Sequence, residues 1–221
     1  MSSRKLVIFG TGDMAQLAAH YFRTDSQYEV VAFTVDRAYL NEGTFGSLPL
    51  VAFDEVEASF PRADHDLFVA LSYARMNRLR EERVEQGRAK GYRIASYISS
   101  RCTYLATEPP GPNAFILEDN TVQPFVKIGG NVTLWSGNHI GHHSIIESNN
   151  FISSHVVISG HCRIAEHCFL GVNSTLAHGV RLAEGTLVGA GAVVTKDTNA
   201  DEVIVPARSM KLDKKSTEFK L

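Results

Sequence analysis

Residues 137–144 read GNHIGHHS, and seven of the nine histidines in the chain fall between His139 and His178. Imidazole is the side chain whose ordinary titration spans neutral pH, so such a cluster can supply a general base or ligands for a transition metal. Zinc sites converge three or four ligands, and no carboxylate or cysteine series keeps step with these histidines, so a base is the stronger reading and no metal is expected. His155 and His167 read as surface residues. A second chemical motif lies near the start of the chain. GTGDMA (10–15) has the form G-x-G-x-x-A, after a strand-like run and at the head of a helical one, where the N–H groups of a helix N-terminus hold phosphate. Asp36 follows Gly12 by 24 residues, near where an acid would hold a ribose, with Arg37 beside it to meet a base or phosphate. Taken alone this points to NAD, but the α/β half is too short for two mononucleotide-binding units.

Two kinds of element must position these groups. Over the first 95 or so residues, strand patterns (5–10, 28–35, 49–53, 66–72 and 92–98) alternate with helical ones (13–23 and the charged 77–91). That alternation predicts a Rossmann-like unit, a parallel sheet with helices over its faces. From about residue 112 the rhythm changes. Every sixth residue is aliphatic: Ile116, Val122, Ile128, Leu134, Ile140, Ile146, Ile152, Ile158, Ile164, Leu170, Leu176, Leu182, Val188 and Val194. Neither helix nor ordinary strand has a period of six. A solenoid with three short flat faces per coil does, and it stacks equivalent side chains every 18 residues. Small or β-branched residues usually stand two before the aliphatic, and glycine often follows it (Gly129, Gly141, Gly171, Gly189). The 18-residue step stacks His143 on His161, and His142 on Gly160 and then His178. The division falls at 98/99, giving an α/β unit over 1–98 and an all-β solenoid over 99–221.

Composition narrows the classes of partner. With 21% charged residues and a net charge of -2, the chain has no basic footprint for nucleic acid. No apolar run reaches the 18 or so residues of a membrane span, and MSSRKLVIFG lacks a signal-peptide apolar core, so a cytoplasmic protein with no stable membrane insertion is expected. Cys102, Cys162 and Cys168 form no CxxC and read as reduced thiols, the last two as small buried hydrophobes.

The hexads IGHHSI, LGVNST and VGAGAV resemble the [LIV]-G-x-x-x-x repeat of the hexapeptide-repeat acyltransferases, whose domain is a left-handed parallel β-helix. A Rossmann-like half followed by such a helix resembles the bacterial sugar acyltransferases of the PglD/NeuD type. The resemblance implies a homotrimer that transfers an acyl group, acetyl from acetyl-CoA, to the amino group of a nucleotide-linked amino sugar for cell-surface polysaccharide (O-antigen, lipopolysaccharide) synthesis. Acylation of a sugar hydroxyl and a non-catalytic sugar-nucleotide-binding trimer are the alternatives. The chemistry needs a base for the attacking amine and an N–H donor for the oxyanion, with no metal. Laid on residues 137–144, the family's G-x-V-V-D-H-D-C and A-H-I-A-H-D-C segments put the base at His142, with His139 and His161 on the substrate side. The carboxylate that follows the base in those segments is here His143, which leaves Glu147 or a backbone carbonyl to orient the imidazole. The same resemblance places Gly10, Thr11 and Gly12 at the diphosphate and Asp36 at the nucleoside. Trp135 walls the acceptor pocket or lies at a subunit interface, and Asn138 assists acceptor binding. Gly171, Gly189, Ala190, Gly191 and Lys196 line the CoA slot. Lys211, Lys214, Lys215 and Lys220 either meet the CoA phosphates or solubilise the tail.

Overall fold

The structure is a computed structural model that describes residues 4–209 together with Asp213, Lys215 and Thr217. Its first unit is a six-stranded sheet built from β1 (Arg4–Phe9), β2 (Tyr28–Val35), β3 (Thr44–Phe45), β4 (Leu48–Ala52), β5 (His65–Val69) and β6 (Arg93–Ile94). The order is β3-β4-β2-β1-β5-β6, parallel throughout except for the short β3. Helices α1 (Asp13–Thr24), α2 (Val56–Ser59) and α3 (Arg78–Ala89) complete it. All of β5 is buried, as a parallel strand covered on both faces requires. The chain leaves β1 between β2 and β5, the switch point at which such sheets open a crevice beyond their carboxyl ends.

The predicted strand over 92–98 is two strands in two sheets. Ala95 still donates its N–H to Leu67 in the α/β sheet, whereas Tyr97 donates to Ala114, so the chain crosses between the units within two residues. Tyr97–Ile98 is the first rung of a parallel β-helix. Fourteen two-residue strands follow, from Phe115–Ile116 to Val193–Val194, each ending on one of the hexad aliphatics. They form three parallel sheets with an 18-residue step, as in Val122↔Ile140↔Ile158↔Leu176↔Val194. All fourteen aliphatics are buried, each contributing about 1.5–3 kcal/mol relative to exposure. Cys162 and Cys168 are buried beside them, and burial pushes the Cys168 thiol up to about 12.

A second six-residue column forms the corners. Asn113, Asp119, Phe125, Asn131, Gly137, His143, Asn149, His155, His161, His167, Asn173, Gly179, Gly185 and Gly191 all sit in the left-handed region, with φ between 56° and 78°. Asn, Asp, His and Gly tolerate that conformation best, so the fold itself accounts for four of the histidines.

The coil has three faces. The first carries Thr133–Leu134, the second His139–Ile140 and the third Ile145–Ile146, each with its 18-residue equivalents. The corner between the third face and the first packs on α3. There Arg80, only 2% exposed, donates to the Asn131 side chain at 2.8 Å and to the Asn131, Asn150 and Ser72 carbonyls at 2.9, 3.2 and 2.9 Å. Burial pushes its pKa down to about 9, and carbonyl dipoles meet the charge. His167 is also on this corner and is buried, not on the surface as its sequence context implied, with Nε2 3.5 Å from Glu81. Elsewhere Asp25, beyond α1, accepts from Ser100 N–H at 2.9 Å, Tyr97 at 2.6 Å and Ser99 at 3.2 Å. Phe22, Phe68, Tyr97 and Phe115 join the two cores.

Candidate active site

The corner between the second and third faces brings the histidine-rich segment together. Hexad register sets His142 and His143 on one coil, His161 on the next, and His178 at the position 18 residues after Gly160. His143 and His161 stack in near-parallel planes, centroids 4.9 Å apart and 9° between planes, and Phe125 covers the other side of His143 at 4.7 Å. His142 stands edge-on to both, at 5.2 and 5.1 Å. Its backbone N–H is held by the Gln123 side chain at 2.8 Å, and its ring lies over Gly160. A Cβ on Gly160 would come within 2.9 Å of His142 Cε1 and Nε2. Glycine there is what allows the imidazole to lie on the coil.

The group nearest His142 Nδ1 is its neighbour, with Nδ1 of His143 3.0 Å away. One of these nitrogens donates and the other accepts. When His142 Nδ1 holds the proton, His142 Nε2 keeps a free lone pair, and it has no protein partner among the described residues. Glu147, the expected orienter, is engaged elsewhere: Arg163 donates to its carboxylate at 2.8 Å. The orienting contact is therefore His143 itself. Burial, then the neighbouring His143, His142 and His178, hold the His161 pKa below the ordinary imidazole value. His139 is a half-buried outward residue of the second face. Asn138 is buried, and its amide is spent within the helix on Trp135 O at 2.5 Å and Val156 N–H at 2.7 Å, so it supports the corner instead of facing an acceptor.

Two cavities flank the remaining candidates. In the α/β unit, Gly10, Thr11, Gly12, Asp36, Leu71 and Arg83 border a cavity of about 250 Å³ at the carboxyl ends of β1 and β2. Gly10 adopts φ 123°, where a Cβ would sit 2.8 Å from Ala70 O, whereas the Cβ position of Gly12 is open. Arg83 clamps the Asp36 carboxylate at 2.7 and 3.2 Å, a partner 47 residues away that the sequence pattern does not reveal. Arg37 points into a different depression and pairs with Asp54 at 2.9 Å and with Glu55. The other cavity, about 470 Å³, lies where Tyr73 of the α/β unit meets the corner between the first and second faces. Trp135, Phe151 and Phe169 wall it, and Gly171 and Ala190 border it. Ser153, Gly171 and Gly189 succeed Trp135 every 18 residues, so loss of side-chain volume opens the concavity. Gly189 lies next to Ala190, and Gly191 is an exposed corner. Lys196 is exposed and follows His178 by one coil on the histidine corner. Of the tail lysines, Lys215 is exposed; Lys211, Lys214 and Lys220 lie outside the described residues.

Residues 161–196 match the family described as bacterial transferase hexapeptide (six repeats). No curated protein matches the chain. Solved structures match along most of its length. The acetyltransferase domain of PglB from Neisseria gonorrhoeae FA1090 is 22% identical, with 92% of this chain and 97% of that one covered and a TM-score of 0.81. WeeI from Acinetobacter baumannii AYE is 19% identical, covering 91% and 96%, with a TM-score of 0.77. PerB from Caulobacter crescentus, solved with CoA and GDP-perosamine, is 20% identical, covering 91% and 94%, with a TM-score of 0.68. The fold is thus the hexapeptide-repeat one, a Rossmann-like unit followed by a left-handed parallel β-helix.

Proposed function

We propose that the chain is an acyl-CoA-dependent N-acyltransferase that moves an acetyl group from acetyl-CoA to the amino group of a nucleotide-linked amino sugar. The carrying observation is His142: exposed, with Nδ1 3.0 Å from His143 Nδ1 and Nε2 open, on a coil of this fold. Support comes from the PglB domain, solved with acetyl-CoA, and from PerB, solved with CoA and GDP-perosamine.

In this scheme the amine attacks the thioester carbonyl while His142 Nε2 takes its proton. The tetrahedral adduct then collapses, the C–S bond breaks, and the same imidazolium returns the proton to the leaving thiolate. His143 Nδ1, as acceptor, holds His142 in the tautomer that leaves Nε2 free. The α/β cavity holds the nucleotide, with the diphosphate against Gly10, Thr11, Gly12 and the α1 N-terminus and a ribose hydroxyl on Asp36. The aromatic cavity at Trp135 takes the sugar or the pantetheine arm, which Gly171, Gly189, Ala190 and Gly191 extend, while Lys196 on the histidine corner meets a CoA phosphate.

The working unit is a homotrimer in the cytoplasm, serving polysaccharide synthesis. Its support is the second face, where Thr121, His139, Val157, Thr175 and Val193 point outward with no formal charge among Thr and Val, and Val157 and Val193 are 39% and 64% exposed.

One observation favours a second reading, a sugar-nucleotide-binding trimer without catalysis: an imidazole, unlike a carboxylate, does not force the proton onto His142. CoA release measured with a panel of UDP-, dTDP- and GDP-linked amino sugars and their hydroxy counterparts separates the readings. Release with an amino sugar is expected. Release with hydroxy sugars alone means O-acylation, and binding without release means the non-catalytic trimer.

A further inference from the structure

The absence of a carboxylate after His142 changes what the corner can hold. One ring nitrogen from each of His142, His143 and His161 lies within 4.8 Å of the others. Three nitrogens about 2.0–2.1 Å from a tetrahedral Zn²⁺ stand about 3.4 Å from one another. The His142–His143 pair at 3.0 Å is already closer than that, and rotation of the exposed rings is what brings in the third, now within 4.8 Å. The backbone beneath them is fixed. His143 and His161 occupy equivalent left-handed corners of successive coils, stacked with centroids 4.9 Å apart, so the two rings tilt toward each other to share an ion.

We propose that His142, His143 and His161 bind one divalent transition-metal ion of the zinc, nickel or copper kind, with a fourth position open to solvent. Three neutral nitrogen donors without an oxygen ligand suit such ions and not calcium or magnesium. No carboxylate or cysteine column joins these histidines, but His143, standing where the base's carboxylate neighbour was expected, is itself the third ligand. A metal on His142 Nδ1 leaves the ring proton on Nε2, so the free Nε2 lone pair that His142 needs as a base is lost and the ion is an inhibitor. That consequence rests on the proposed transferase reading, whereas the binding does not.

The test uses the full chain, freed of metal with a chelator and titrated with Co²⁺ by visible absorption and with Zn²⁺ by calorimetry. One Co²⁺ per chain, with the intense bands of a four- or five-coordinate ion displaced by Zn²⁺, is expected. Disturbing even an outer partner of a metal ligand costs about 10–100-fold in affinity, so His143→Asn and His161→Asn should each weaken binding at least about tenfold. Asparagine already occupies the corners at Asn131, Asn149 and Asn173, so these variants keep the coil. His155→Asn removes an exposed corner histidine outside the cluster and should change nothing. Absence of a saturable Co²⁺ spectrum, indifference to both cluster variants, or equal weakening by His155→Asn overturns the site. In the activity arm, Zn²⁺ at saturation stops CoA release by the wild type, and His161→Asn needs at least about tenfold more Zn²⁺ for the same inhibition. Metal binding with uninhibited release overturns the inhibitory role. A chain that binds metal and never releases CoA keeps the site and fails only the transferase reading.

Discussion

At His142 the chemistry depends on which nitrogen holds one proton. A carboxylate at position 143 would accept only, and so would force His142 Nδ1 to donate. His143 accepts or donates, and only the first leaves Nε2 as a base. Replacing it with aspartate tests this directly, because aspartate already sits at the left-handed corners Asp119 and Asp201. His143→Asp should raise turnover in a CoA-release assay, and a fall with the fold intact would show that the imidazole has another part in the reaction. Ring placement is equally testable. Gly160→Ala drives a methyl against Cε1 and Nε2 of His142 and should cost up to about 100-fold in turnover while leaving the thermal transition near wild type. This corner was only partly legible in the sequence. The 18-residue step stacks His143 on His161 correctly, yet the corner column from Asn113 to Gly191 carries no single sequence signature, since Asn, Asp, His and Gly differ in chemistry and share only a tolerance for positive φ. Several histidines that look like a catalytic excess are turn residues.

At the scale of elements, α3 joins the two units through a cation. Arg80→Ala leaves the Asn131 and Ser72 carbonyls without their donor, removes one of two donors from the Asn150 carbonyl and opens a cavity, so a loss of about 2–4 kcal/mol is expected in urea unfolding. An unchanged midpoint would mean that the corner repacks. The Asp25 clamp responds to acid. Hydrogen bonds from Ser100 first, then Tyr97, lower its pKa from 3.8 to about 2. A carboxylate depressed on folding contributes stability above its unfolded pKa and loses it as pH falls through the folded value. Wild type should therefore lose stability relative to Asp25→Asn between about pH 4 and 2 in acid unfolding followed by tyrosine absorbance, and parallel curves would remove the clamp. The helix over 77–91 was visible as a charged run, but the burial of Arg80 was not, because its acceptors lie 51 and 70 residues onward. The run 92–98 looked like one strand since its hydrophobicity is continuous; only hydrogen-bond partners reveal the crossing between sheets.

At the scale of the molecule, the β-helix was legible almost completely, because an aliphatic must fill the coil interior once in every six residues, a period that neither helix nor ordinary strand has. The cavities were less so, since they form between elements distant in sequence: Arg83 reaches Asp36 within the α/β unit, and Tyr73 crosses to Phe151 and Phe169 of the β-helix. The proposed assembly rests on the second face. Val157→Glu and Val193→Glu together should convert a trimer to monomers in sedimentation equilibrium, with folding retained; an unchanged mass would place the interface elsewhere. The central claim is that His142 is the base of an acyl transfer to an amino sugar. CoA release with a nucleotide-linked amino sugar, compared between wild type and His142→Ala, tests it most directly. Turnover should fall by about 10²–10⁴-fold with the assembly unchanged. Near-wild-type turnover in His142→Ala would contradict the account.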